Sequence, residues 1–187
     1  MAMRIDSELS GGNIRVRSIR EGVAELAPDL AGTRGHWFYW AMRVFADSGE
    51  IAFRFPEGKG EPYFSNLGPA CSTDLGRSWH WIGNPAQDFQ SFRYTFPGGQ
   101  NPVLFASVIP YSGRELNQFL QHEAPRELEI FTFSRSRGGA TVPGFRISPA
   151  GKQAARSRVV VTARHHACET MGSFVMEGLL SGWQTLD

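Results

Sequence analysis

The sequence has few of the features that mark secreted, membrane or nucleic-acid-binding proteins. Its 187 residues include two cysteines, Cys71 and Cys168, which can form at most one disulfide, so nothing indicates a disulfide-stapled scaffold. The formal charge is only +1, from 19 basic and 18 acidic side chains, which argues against nucleic acid or an anionic membrane as an obligate partner. No stretch approaches the roughly 18 consecutive apolar residues of a membrane span.

Signals for export and for several common enzyme classes are also absent from the sequence. The first twelve residues carry acidic side chains and no apolar central segment, so we expect no signal peptide and a cytoplasmic location. There is no G-x-S-x-G nucleophile elbow and no Ser-His-Asp order. The arginine- and glycine-rich stretch 135–139 lacks the Lys-Ser/Thr of a phosphate-binding loop and is interpreted as a hairpin turn.

The first part of the chain, residues 1–110, is rich in short strand-like runs. Aromatic and β-branched residues concentrate in the runs 13–19, 36–45, 50–55, 89–96 and 103–109. Several runs alternate apolar and polar residues, as half-buried strands do, and Gly, Pro, Asp and Ser clusters separate them. The tryptophan-rich stretches in this region are interpreted as core rather than as a sugar- or peptide-binding surface. We therefore predict an antiparallel β-sandwich domain over residues 1–110.

From residue 111 the pattern changes to mixed helix and strand. Ser112 is a candidate N-cap for a helix that ends before Pro125. Strands are predicted at 128–133, near 145–147 and in the apolar β-branched run 158–163, which we expect to be buried. A final amphipathic helix carries Met171, Phe174, Val175 and Leu179, with Glu169 in its first turn. This order predicts that residues 111–187 are the incomplete beginning of an α/β domain.

The most informative pair is His166 and Glu169, at the predicted junction between the apolar strand and the last helix. A sharp strand-to-helix turn would aim both side chains at one point, and imidazole and carboxylate are ligands that zinc accepts. The same pattern also fits a histidine at the core edge beside a glutamate that favours the helix dipole, and the bare H-x-x-E spacing does not decide between the two. His165 is out of phase along the strand and is interpreted as structural, and Cys168 as a small buried filler.

The segments around this pair resemble the first metal motif of the cytosolic-carboxypeptidase type of zinc carboxypeptidases. ARHHACET at 163–170 and SFVMEGLL at 173–180 resemble A-R-x-H-P-G-E-T and S-x-x-x-x-G-[FL]-L, with Ala167 and Cys168 in place of Pro-Gly. Further likenesses follow in chain order: SGGN at 10–13 to S-G-N, YFSNLGP at 63–69 to Y-x-x-G-x-x-P, STDLGRSW at 72–79 to S-x-x-x-x-x-W, and FASVIPYS at 105–112 to F-A-x-x-Y-P-Y-[ST].

This resemblance implies a β-sandwich followed by the truncated beginning of an α/β zinc-carboxypeptidase domain. It implies that His166 and Glu169 are zinc ligands, in an enzyme that removes C-terminal residues from peptides or protein tails. The family's third ligand, carboxylate-binding arginines, substrate tyrosine and general-base glutamate follow downstream of this motif, and the sequence has no counterpart of them. The histidines at 36, 80 and 122 resemble no part of the later metal motif. No catalytic residue is therefore assigned, and the zinc site is expected to be partial.

Three hypotheses remain open from the sequence. The chain is a fragment of an active exopeptidase, a non-catalytic β-sandwich binding or interaction protein, or one half of a split enzyme. The apolar run 158–163 favours the fragment, because a stable short protein would not usually keep such a strand at an unfinished sheet edge. For residues beyond 111 we expect dependence on a partner, self-association or local disorder.

Overall fold

The computed structural model describes residues 2–31, 33, 35, 37–58, 62–84, 87–99, 102–148 and 157–183. The chain divides into two compact units, Met1–Ser112 and Gly113–Asp187. Strands of predominantly antiparallel sheets account for most of the regular structure, and helices are few. None of the helices in these described ranges is long and apolar enough to cross a membrane.

The first unit contains two sheets. Its strands, in chain order, are β1 Met3–Asp6, β2 Arg15–Arg20, β3 Val23–Ala27, β4 Ala41–Ala46, β5 Gly49–Arg54, β6 Ala70–Ser72, β7 His80–Trp81, β8 Ser91–Phe96 and β9 Val103–Ala106, with a short 3-10 helix at Pro56–Gly58. One sheet has the order β1-β4-β9-β6-β7 and the other has the order β2-β3-β5-β8. All neighbours in these sheets are antiparallel except β3 and β5, which run parallel.

Both sheets contribute side chains to one hydrophobic core. In β5 the polar Glu50 and Arg54 are exposed and Ile51 and Phe53 are fully buried, as the alternation predicted, but Ala52, predicted on the side of Glu50 and Arg54, is buried as well. The Phe53 ring lies 4.7 Å, centroid to centroid, from Phe92 in its own sheet and 5.6 Å from Phe105 in the other. Aromatic pairs at these separations stabilise a core beyond the area they bury.

The tryptophan-rich stretches are divided between core and surface. Trp40 is fully buried, and its indole N–H donates to the backbone carbonyl of Tyr63 at 2.9 Å. Trp37, Trp79 and Trp81 are half-buried. The run 36–45 was predicted as one strand, but pairing begins only at Ala41, and residue 36 lies outside the described residues. Of these tryptophans, only Trp40 is fully buried in the core, as the sequence interpretation predicted.

The second unit contains α1 Gly113–His122, β10 Glu129–Arg135, β11 Thr141–Arg146 and α2 Thr170–Gly182. β10 and β11 form an antiparallel hairpin whose turn is closed by backbone hydrogen bonds between Ser136 and Ala140 and between Gly139 and Ser136. The register shifts between Thr132 and Ser134, so Phe133 lies at a bulge, where 71% of it is exposed. The hairpin interpretation of residues 135–139 is confirmed.

The prediction of a buried strand at 158–163 is wrong for this structure. Residues 157–164 form no strand, and Val159 and Val160 are 87% and 84% exposed. A β-branched run favours an extended, buried backbone, but a strand also needs neighbours that satisfy its N–H and C=O groups. Among the described residues, the β10–β11 hairpin pairs only with itself, so this run has no ladder to join.

Candidate metal centre

A tight turn over residues 164–169 leads into α2. Arg164 adopts a left-handed backbone with φ of 57°, which is uncommon for a side chain other than glycine. Its guanidinium Nη2 donates to the carbonyl of Ala167 at 3.2 Å, and the Glu169 N–H donates to the carbonyl of His166 at 3.1 Å. One hydrogen bond joins residues 164 and 167 and the other joins residues 166 and 169, so together they close the turn just before Thr170, where α2 begins.

The last helix begins one residue later than predicted, so Glu169 precedes it. The glutamate occupies the N-cap of α2 rather than the first helical turn, and its side chain makes no capping hydrogen bond. The physical reason is that the carboxylate turns back toward His166 instead of toward the free N–H groups of the helix. The glutamate therefore points its oxygens away from the helix and into the turn.

The turn brings His166 and Glu169 into contact. Nδ1 of His166 lies 2.6 Å from Oε1 of Glu169, and the His166 backbone N–H donates to Oε2 at 3.1 Å. The hydrogen bond with the His166 ring is the main cause that lowers the pKa of Glu169, so the carboxylate is ionised at neutral pH. Both side chains remain accessible, with exposed fractions of 50% and 44%.

The neighbouring candidates do not join this pair. Nε2 of His165 lies 3.3 Å from the hydroxyl of Thr162, and its structural role stays a prediction, because the strand from which that role was predicted does not form. Burial raises the pKa of the Cys168 thiol, which disfavours the thiolate that zinc prefers. Both Cys71 and Cys168 are free thiols. Over the described part of the chain, no group of three or more His, Cys, Asp or Glu side chains is arranged to hold a metal ion.

The pair consists of donor types that zinc accepts, but the two donor atoms lie closer together than two zinc ligands do. Zinc–nitrogen and zinc–oxygen bonds of about 2.0–2.2 Å at a tetrahedral angle place two ligand atoms roughly 3.4 Å apart. His166 Nδ1 and Glu169 Oε1 would therefore have to separate by about 0.8 Å to admit the ion, and their exposure leaves room for that movement. A catalytic zinc site has three protein ligands, so this pair is at most part of one.

The upstream motif at residues 72–79 forms a hydrogen-bonded turn in the first unit. The carboxylate of Asp74 accepts hydrogen bonds from the hydroxyls of Ser72 and Ser78 and from the N–H groups of Arg77 and Ser78. The hydrogen bonds from Ser78 are the largest cause that lowers the pKa of Asp74. Sequence reasoning did not single out this network, although an aspartate between two serines in a turn is the usual signal for one.

Comparison with solved structures finds bacterial metallo-carboxypeptidases that share this fold. A metallo-carboxypeptidase from Burkholderia cenocepacia aligns with 98% of the chain at a TM-score of 0.75 and 20% sequence identity. One from Pseudomonas aeruginosa, solved in complex with (2-guanidinoethylmercapto)succinic acid, aligns with 97% of the chain at a TM-score of 0.72 and 22% identity. The chain spans 50% and 49% of the length of these two proteins.

These structures establish likeness of fold and leave the activity open. No family model matches the sequence, and no curated protein matches it. The chain and these metallo-carboxypeptidases share a fold, with about one fifth of the aligned residues identical. A shared fold at this identity does not establish a shared function.

Proposed function

We propose that this chain is the N-terminal portion of a zinc metallocarboxypeptidase of the cytosolic type. In this proposal residues 1–110 are a β-sandwich domain, and residues 111–187 are the beginning of the α/β peptidase domain. The observation that carries the proposal is the 2.6 Å contact between His166 and Glu169 at the start of α2, in a chain whose fold matches half of a metallo-carboxypeptidase. The cytoplasmic location expected from the sequence belongs to the same proposal.

His166 and Glu169 would hold the zinc as two of its three protein ligands. When bound, zinc in such a site polarises a carbonyl and lowers the pKa of a water molecule. The chain's own contribution is orientation, because the His166 N–H fixes one carboxylate oxygen of Glu169 while the imidazole faces the other. The substrate would be the C-terminal residue of a peptide or protein tail, and nothing in the described residues selects its side chain.

We expect the chain alone to have no peptidase activity. The described residues supply no third ligand, and the resemblance places the general base downstream. A base and a complete metal site each contribute orders of magnitude to the rate of hydrolysis. The proposed partner is therefore the polypeptide that carries the second half of the peptidase domain, which would cover the exposed apolar side chains of residues 159–161 and of α2.

Zinc binding tests the ligand assignment directly. Zinc affinity would be measured by competition with a chromophoric chelator for the native chain, His166→Ala and Glu169→Gln. His165→Ala is the matched control, because it removes an adjacent, exposed imidazole that contacts Thr162 instead. We expect the first two variants to weaken zinc binding at least about tenfold and the control to leave it unchanged. Equal losses in His165→Ala and His166→Ala would contradict the assignment.

Complementation tests the peptidase proposal. The chain would be co-expressed with the C-terminal half of the Pseudomonas aeruginosa metallo-carboxypeptidase, and release of C-terminal residues from peptides would be followed. We expect zinc-dependent turnover only with both halves, and none with His166→Ala. Turnover by the chain alone that His166→Ala abolishes would show that the described residues are sufficient.

A second candidate is a non-catalytic binding protein with the same architecture. The observation that favours it is that only two ligands come together in the described residues. In that case zinc affinity would not depend on His166, and the β10–β11 hairpin would be as protected from hydrogen exchange as the sheets of the first unit.

A further inference from the structure

The turn that holds the His166–Glu169 pair carries an arginine in an uncommon backbone conformation. Arg164 is one of four residues other than glycine with positive φ in the described chain, and it lies two positions before His166. An arginine pays a steric cost in the left-handed region, and such positions persist where surrounding contacts hold them. One contact of its side chain is the hydrogen bond from its guanidinium to the carbonyl of Ala167 at 3.2 Å.

This hydrogen bond spans the histidine in the middle of the turn. It joins residues 164 and 167, while the hydrogen bonds of Glu169 join residues 166 and 169, so the two sets of bonds interlock along the chain. Holding the Ala167 carbonyl fixes the peptide between Ala167 and Cys168, and therefore the direction from which Glu169 approaches His166. This hydrogen bond goes to a backbone carbonyl, so through it the guanidinium acts on the backbone of the turn.

The start of α2 is fixed against the same segment. A Cβ placed on Gly172 would lie 3.4 Å from Cβ of Ala163 and 3.5 Å from the backbone nitrogen of Arg164. The first turn of α2 therefore packs directly against the residues that begin the turn. A change of backbone at Arg164 would alter the path of the chain into α2, and with it the position of Glu169 relative to His166.

We propose that Arg164 is a positioning residue for the zinc ligands His166 and Glu169. The expected effect on zinc affinity rests on the proposed function, whereas the expected effect on the contact between His166 and Glu169 does not. The Arg164 guanidinium holds the 164–169 turn in the form that keeps the two ligand side chains adjacent. Groups that orient metal ligands from outside the ligand set commonly change metal affinity about 10- to 100-fold when removed.

The test compares three variants of Arg164 with a matched control. Arg164→Ala removes the guanidinium. Arg164→Gly removes it while permitting the left-handed backbone, and Arg164→Lys keeps a positively charged donor. The control is Arg135→Ala, because Arg135 also donates to a backbone carbonyl across a turn, that of Gly139 at 3.3 Å.

Zinc affinity is the first readout. We expect about a tenfold loss for both Arg164→Ala and Arg164→Gly, a loss under about threefold for Arg164→Lys, and none for Arg135→Ala. Native affinity in Arg164→Gly would overturn the proposal, since it would show that only the backbone conformation matters. Native affinity in Arg164→Ala would overturn it as well.

The second readout needs no metal. Imidazole ¹⁵N chemical shifts of His166 in the zinc-free chain report its contact with Glu169, and those of His165 serve as an internal reference. We expect Arg164→Ala and Arg164→Gly to shift the His166 signals to those seen in Glu169→Gln, with the His165 signals unchanged. If the native chain binds zinc no better than His166→Ala, the proposed function fails, and these shifts alone decide the role of Arg164. Unchanged His166 shifts would then refute it.

Discussion

Truncation of Phe105 should destabilise the first unit while leaving the second intact. Phe105 lies in β9 and is fully buried, with its ring centroid 5.0 Å from Tyr94, 5.4 Å from Phe92, 5.6 Å from Phe53 and 6.1 Å from Phe96. Replacing a buried phenylalanine with alanine costs about 3–5 kcal/mol, because the transfer free energy is lost and a cavity remains. We expect Phe105→Ala to reach the upper part of this range, since four ring contacts disappear together.

That loss is a large fraction of the stability of a small domain. Domains of this size unfold with about 5–15 kcal/mol, and each kcal/mol lowers the melting temperature by roughly 4–8 °C near 100 residues. A melting temperature at least about 12 °C lower is therefore expected for Phe105→Ala. Fluorescence of the buried Trp40, whose ring lies 5.9 Å from Phe92, reports the unfolding of this core.

Phe133→Ala is the matched comparison. Phe133 is 71% exposed at the β10 bulge, so its truncation should change stability by less than about 0.5 kcal/mol. Hydrogen exchange of residues 129–135 should also be unchanged in Phe105→Ala, if the two units unfold independently. The reasoning is refuted if Phe133→Ala costs as much as Phe105→Ala, because the exposed bulge would then be part of a core.

Three further predictions concern other features. Gly68→Ala should lower the free energy of unfolding, measured by urea denaturation, far more than Gly83→Ala. Both glycines have positive φ, but a Cβ on Gly68 would lie 2.0 Å from the Gly83 carbonyl oxygen, whereas a Cβ on Gly83 would meet nothing within 4 Å. Because its folded pKa is lowered, Asp74 should contribute stability fully above its ordinary pKa of 3.8 and lose it as the pH falls through the folded value. A carboxyl ¹³C titration of Asp74 with a midpoint at or above 3.8 would contradict this. Finally, the chain should self-associate at high concentration and Val160→Lys should reduce this in sedimentation experiments, because Val160 is 84% exposed; a monomeric native chain would count against it.

Strands with clear alternation could be predicted from the sequence, whereas strands that depend on their neighbours could not. β5 and β8 alternate apolar and polar residues, and both were predicted. β3, with the sequence VAELA, is rich in helix-favouring residues and was not predicted. It forms because Ala24 and Leu26 are fully buried in the shared core and both of its edges are paired, by β2 and β5.

The same distinction explains the error at residues 158–163 and the partial success at the candidate site. The valines there predicted a buried strand, but burial depends on partners that local sequence does not reveal. The contact between His166 and Glu169, which are only three residues apart, was predicted, although the strand that was expected to lead into the turn does not form. A third ligand would come from a distant part of a chain, and no local pattern around this pair can identify it. The metal role of the pair stays a prediction.

The position of β9 has a consequence for how the first unit forms during synthesis. In its sheet β9 lies between β4 and β6, so it joins the β1–β4 pair to the β6–β7 pair. Until residues 103–106 have left the ribosome, these two pairs have no shared ladder, and the pairing that joins them is long-range and slow to form. A nascent chain that stalls before residue 103 therefore carries two separate ribbons with unpaired edges, which is the state most prone to wrong pairing and aggregation. The five-stranded sheet can therefore be completed only after its last strand, β9, has been synthesised.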